Sequence, residues 1–174
     1  MRKTSAILLA AALPMAVQAA NTEFSYGGYI KMDAMMSTYS DGDIGAAALG
    51  RDFYVPSQIP TSGGTGEETS SVDFSAKSSR LNFKTVTTTD SGEKVTGFIE
   101  MDFLTALAAG GAGNEVVSNS YNPRLRHAFF TYNNLTFGQT WSTFMNVGAL
   151  PETVDFLGVS DGTVFNRQAQ IRYT

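Results

Sequence analysis

The side chains in this chain that could do chemistry are charged ones set two residues apart. Lys31 and Asp33 are one such pair, Arg80 and Lys84 fall four apart in the same phase, Glu100 and Asp102 follow, then Arg124 and Arg126, with Arg172 near the end. An arginine offers paired N–H donors that match the two oxygens of a carboxylate, and it does not deprotonate, so a row of guanidiniums suits the holding or passing of anions. Glu100 and Asp102 are placed to pair with Arg80 or Arg126 from an adjacent strand. Catalysis is poorly supplied. There is one histidine, His127, and no cysteine, which removes a thiol nucleophile and a His/Cys zinc site. Gly110-Gly111-Ala112-Gly113 lacks the Lys-Ser/Thr of a phosphate loop, and Asp41-Gly42-Asp43 lacks the rest of a calcium-loop spacing and reads as a plain turn. No enzyme activity, metal or cofactor is expected.

Six stretches with a period of two must position these charges. The first, about Glu23 to Met36, puts Phe24, Tyr26, Ile30, Met32, Ala34 and Met36 on one face and Ser25, Tyr29, Lys31 and Asp33 on the other. The second, about Val72 to Thr87, alternates Arg80, Asn82 and Lys84 with Leu81, Phe83 and Thr85. In the third, about Lys94 to Leu104, Val95, Gly97, Ile99 and Met101 oppose Thr96, Phe98, Glu100 and Asp102. The fourth, about Pro123 to Tyr132, sets Arg124, Arg126 and Ala128 inward and Leu125, His127 and Phe129 outward. The fifth, about Leu135 to Ser142, sends Leu135, Phe137 and Trp141 outward, and the sixth separates Ile171 and Tyr173 from Gln168, Gln170 and Arg172.

The gaps between these stretches alternate in length. Ser37 to Ser70, Thr105 to Tyr121 and Thr143 to Phe165 are long, whereas Thr88 to Glu93 and Asn133-Asn134 are short. A soluble sandwich explains the alternation of faces but not long loops at one end only. A barrel through a membrane explains both, and it also accounts for aromatics near strand ends, such as Tyr26, Tyr132, Trp141 and Tyr173. The fold class expected is therefore all-β, an antiparallel transmembrane β-barrel, with long loops outside and short turns in the periplasm. The mean hydropathy of −0.08 fits, because lipid-facing and inward residues cancel.

The start of the chain sets the compartment. Arg2 and Lys3, then the apolar run Ala6 to Ala12, then Val17-Gln18-Ala19 read as a secretory signal peptide over residues 1–19, cleaved after Ala19. Without Arg2 and Lys3 the 12 basic residues become 10 against 16 acidic, a net charge of −6, which argues against nucleic acid as a partner. A cysteine-free sequence is compatible with export through an oxidising compartment.

Several segments taken together carry a family likeness: FYVPSQIP at Phe53 to Pro60, SRLNFKT at Ser79 to Thr85, RLRHAFF at Arg124 to Phe130, GQTWSTFMNVGALPETVDFLG at Gly138 to Gly158, and RQAQIRYT at Arg167 to Thr174. With these segments in this order, the chain resembles the DcaP-like family of trimeric outer-membrane porins. The resemblance implies a homotrimer in the outer membrane of a Gram-negative cell, surrounded by outer-membrane lipid. It implies a passive diffusion channel for small anionic solutes, organic acids such as dicarboxylates among them. It also implies that the third long loop, residues 143–165, folds inward and narrows the pore. On that reading residues 20–174 are the N-terminal part of a barrel of sixteen strands, since six strands cannot close one. Arg80, Arg124 and Arg126 would then form a basic wall, with Glu152 and Asp155 of the loop facing it, and Lys31, Asp33, Lys84, Glu100, Asp102 and Arg172 also lining the pore. The alternatives are a general unselective porin and a secreted carbohydrate-binding or adhesin β-domain.

Overall fold

The computed structural model describes residues 21–45, 48–52, 55–104, 121–149 and 166–174, and over these the alternating stretches are strands. They are β1 (Asn21–Tyr29), β2 (Asp33–Tyr39), β3 (Thr69–Ser75), β4 (Arg80–Thr88), β5 (Lys94–Asp102), β6 (Arg124–Tyr132), β7 (Leu135–Trp141) and β8 (Arg167–Tyr173). Short 3-10 turns occur at Leu49–Arg51, Pro56–Gln58 and Val147–Ala149. A single antiparallel sheet runs β1-β4-β5-β6-β7-β8, and β2 and β3 pair with each other beside it. No helix among the described residues is long and apolar enough to cross a membrane.

The first two expected strands are each broken in two. Tyr29 pairs with Arg80 at the end of β1, and Asp33 pairs with Ser75 at the start of β2, so three residues on one side of the break face four on the other. The extra residue is absorbed by a bend in which Ser79 N–H donates to the Ala76 carbonyl and the Lys31 N–H donates to Ser79 Oγ (3.1 and 3.0 Å). The first hairpin thus carries on beyond the six-stranded sheet with its faces kept in phase.

The short gaps are tight turns. Thr89 N–H donates to the Glu93 carbonyl and Gly92 N–H to the Thr89 carbonyl (both 2.9 Å), and Gly92 sits at φ 84, where an L side chain is strained. Asn133 takes φ 50 between the paired Tyr132 and Leu135, a conformation asparagine tolerates better than most residues. Inside β7, Gly138 sits at φ 118, and a Cβ there would overlap the Ala128 carbonyl oxygen.

Burial is inverted relative to a water-soluble domain. Among the described residues the buried apolar side chains are Ile44 and Leu104, whereas Asp33, Asp102, Arg126, His127, Thr136 and Thr140 are buried polar ones. Large apolar side chains, including Phe24, Tyr26, Leu81, Phe130 and Ile171, are exposed on the opposite face. A sheet with one apolar and one polar face, the apolar one exposed and the polar one turned inside, is the wall of a barrel whose surrounding solvent is hydrocarbon.

Candidate functional site

Register brings the charged residues together at one end of the polar face. Arg80 pairs with Asp102, and Asp102 with Arg124, in a row across β4, β5 and β6, while Asn82, Glu100 and His127 form the row beneath. At this point β6 carries one residue too many. Glu100 lies opposite His127 and Met101 opposite Leu125, which leaves Arg126 as the extra residue of a β-bulge. The bulge puts two consecutive side chains, Arg126 and His127, on the polar face.

Hydrogen bonds fix the cluster. Arg124 grips Asp102 with both arms of its fork, Nε to Oδ1 at 2.8 Å and NH2 to Oδ2 at 2.5 Å. Arg126 bridges the two acids, Nε to Glu100 Oε1 at 2.7 Å and NH1 to Asp102 Oδ2 at 2.9 Å. Arg126 and Asp102 are each only 1% exposed. Arg80 stands 4.0 Å from Glu100 and lies over the Tyr29 ring, its guanidinium 5.2 Å from the centroid. Arg167 and Arg126 both lie against the Trp141 ring, at 4.6 and 5.8 Å. Four guanidiniums therefore meet two carboxylates, an excess of two positive charges among the described residues. The indole ring offers its negative face to two of them.

Sequence alternation misplaces four residues, and two of them follow from the phase reversal alone: Ala128, expected inward, pairs with Ile99 on the apolar face, and Phe129, expected outward, packs on Phe98 and His127 on the polar face. His127, expected outward, is buried on the polar face, because the bulge at Arg126 reverses the phase of the strand. Its Nδ1 lies 3.1 Å from Thr140 Oγ1 and its Nε2 4.0 Å from Glu100. Trp141, also expected outward, packs edge-on to His127 at 5.1 Å and against the arginines. The β6–β7 ladder ends at Ala128 and Gln139, so Trp141 is paired on one side alone, with Arg167 of β8. Arg167 is a third participant that the alternation did not single out. The signal was its place at the head of β8, opposite Trp141.

The other expected residues are spread along the polar face and beyond it. Lys31 and Asp33 pair at 3.0 Å at the bend between β1 and β2, away from the cluster. Lys84 is exposed, four residues along β4 from Arg80, and makes no ion pair among the described residues. Arg172 lies towards the short-turn end, opposite Thr136, with its Nε buried and without a hydrogen-bond partner among the described residues. Glu152 and Asp155, with most of the expected constricting loop, lie outside the described residues, as does the expected signal peptide. The two ends of that loop do meet: Ser142 N–H donates to the Asn166 carbonyl and Asn166 N–H to Met145 Sδ, both at 3.0 Å.

A charged polar face backed by an apolar one is the architecture of an outer-membrane channel wall, and comparison with known proteins gives the family. The family model described as DcaP outer membrane protein matches residues 11–174. The chain belongs to that family. Among solved structures, the outer membrane channel DcaP of Acinetobacter baumannii superposes with a TM-score of 0.56 at 29% identity, over 87% of this chain. The chain spans 37% of that channel's length. No curated protein matches. Membership of the DcaP family puts the sheet in the outer membrane as part of a barrel wall, in a family of channels rather than enzymes.

Proposed function

We propose that this chain is part of a DcaP-type porin, a passive channel for small anions, organic acids such as dicarboxylates among them. The observation that carries this reading is the gathering of four guanidiniums, Arg80, Arg124, Arg126 and Arg167, with Glu100 and Asp102 on the polar face. Two roles divide within the cluster. Arg126 is locked between both carboxylates and braces the wall. The positive excess spread over the cluster raises the local concentration of anions and favours their passage over cations. Lys84 and Arg172 extend the basic track towards the short-turn end, and Lys31 with Asp33 marks the other end. The loop at residues 143–165, with Glu152 and Asp155, narrows the passage from the opposite side. The chain reaches the membrane after loss of residues 1–19 as a signal peptide and works as a homotrimer.

The test is single-channel recording on the full-length protein in a potassium chloride gradient. Removing Arg124 and Arg126 together would strand Asp102, so the informative variant is Arg80→Gln with Arg167→Gln, which leaves the Arg124–Asp102–Arg126 bracing intact. The reversal potential should shift towards cations. An unchanged reversal potential in the variant defeats the basic-wall reading, and a wild-type channel with no preference makes the protein a general porin.

A further inference from the structure

Arg126 and Arg167 carry like charges, and both lie against one ring. The Arg167 guanidinium stands over the Trp141 indole, 4.6 Å from its centroid, and that of Arg126 stands at 5.8 Å. Like charges gathered in a site that water barely reaches repel one another. An acid set between them relieves the repulsion and cancels a charge. An indole relieves it with the negative face of its π system and leaves both charges in place. The other side of the cluster repeats the arrangement, since Arg80 lies over the Tyr29 ring at 5.2 Å.

The indole is itself fixed from several sides. Trp141 and Arg167 are direct partners in the β7–β8 ladder, and residues directly opposite share a face. The Gln170 side chain reaches across from β8, its Nε2 donating to the Trp141 carbonyl at 2.9 Å and to the Thr140 carbonyl at 3.1 Å. The His127 ring stands edge-on to the indole, with the two planes 73° apart. Gln139 of β7 donates its Nε2 to the Leu125 and Arg126 carbonyls, both at 3.2 Å. The bulge that carries Arg126 is thus tied to the strand that carries Trp141. Arg126 is 1% exposed and Arg167 is half-buried, so of the two Arg167 is the more open to a passing solute.

We propose that Trp141 is a positioning residue for anion selectivity: its indole holds the Arg167 guanidinium beside Arg126 on the pore wall without neutralising either. This rests on the anion-channel reading and adds to it a residue that carries no charge. A guanidinium held through its face directs its N–H donors outward in its own plane, in the fork that matches a carboxylate. A rigid ring at the root of the third long loop therefore sets where the accessible positive charge stands.

The experiment measures reversal potentials of the full-length protein in a potassium chloride gradient, for wild type, Trp141→Leu, Trp141→Met and Trp141→Tyr, each also in an Arg167→Gln background. Only variants with the heat-modifiable migration of a folded barrel are compared, and the leucine and methionine variants stand in for each other. Neither changes a charge, yet the anion-to-cation permeability ratio should fall about twofold or more. Trp141→Tyr keeps a π face and should recover most of that loss. In the Arg167→Gln background the same substitutions should add little, because the residue through which Trp141 acts is gone. A ratio unchanged by the loss of the ring overturns the proposal. So does a tyrosine that rescues nothing, or an effect of equal size in both backgrounds, which marks packing alone. A wild-type channel without anion preference defeats the channel reading and this proposal with it, whereas a selective wild type indifferent to Trp141 defeats this proposal alone.

Discussion

Asp102 in the wall and Asp41 in the first loop each sit at the centre of a fan of donors, and the two are held in opposite ways. Asp102 is buried and takes its bonds from two guanidiniums. Asp41 lies at the surface and takes its bonds from Ser62 Oγ and from the backbone N–H groups of Ser62, Gly64 and Gly66, the last three at 2.8 Å. The first is charge against charge in a place water barely reaches, so each partner is needed to keep the others tolerable. The second is charge against backbone dipoles in open water, where it shapes a loop without bearing on the wall.

Removing Asp102 should therefore have the largest effect. Asp102→Ala leaves Arg124 and Arg126 crowded without their shared acid, and breaking a buried pair of this kind costs about 3 kcal/mol or more. Urea unfolding of the full-length protein in lipid vesicles would read this as a large drop in midpoint. A drop no larger than that of a surface substitution would mean that water reaches the cluster. Next comes the contrast between the faces of the wall. Phe130, stacked on Phe137 at 4.9 Å, points to lipid, and its neighbour Thr131 points to the polar side. Phe130→Arg should cost about 2–3 kcal/mol and Thr131→Arg less than about 1 kcal/mol in the same assay. Equal costs would mean that the faces are misassigned. Smaller again is Gly138→Ala, which imposes a positive φ on an alanine and drives its Cβ at the Ala128 carbonyl, for about 1–3 kcal/mol.

The sequence made the strands, the two short turns and most face assignments legible, because a period of two with Lys, Arg, Asp and Glu on one side leaves little choice. It hid the bulge. Nothing in Arg124-Leu125-Arg126-His127 has the glycine that marks many bulges, although strand four held the clue. Its polar residues begin at even positions, Arg124 and Arg126, and end at an odd one, Thr131, with apolar Phe130 between them. A strand cannot keep a single phase through that pattern, so one extra residue had to be inserted. Arg167 and Trp141 were hidden for a different reason. They form the last pair of the β7–β8 ladder, beyond the end of the β6–β7 ladder, where packing against the arginine cluster decides the side. The bend that splits the first hairpin is spread over Ile30 to Met32 and Ala76 to Ser79, and only the pairing partner reveals the unequal count.

The smallest effect belongs to Asp41, and it sharpens the contrast with Asp102. The Ser62 hydroxyl first, and the Gly64 and Gly66 N–H groups after it, hold the Asp41 carboxyl well below the usual carboxylate range. A carboxylate whose folded pKa is depressed contributes stability above its unfolded value, near 3.8, and loses it as the pH falls through the folded value. The clamp on residues 62–66 should therefore hold unchanged from neutral pH down to about pH 4 and weaken only below that. Hydrogen exchange at the Gly64 and Gly66 amides would read it: flat protection through the mildly acidic range, then loss in strong acid. Asp41→Asn should expose the same amides at neutral pH while leaving the unfolding midpoint of the barrel where it was. If that midpoint fell as well, the first loop would be part of the wall's stability, and the division between buried pairing and surface clamping would not hold.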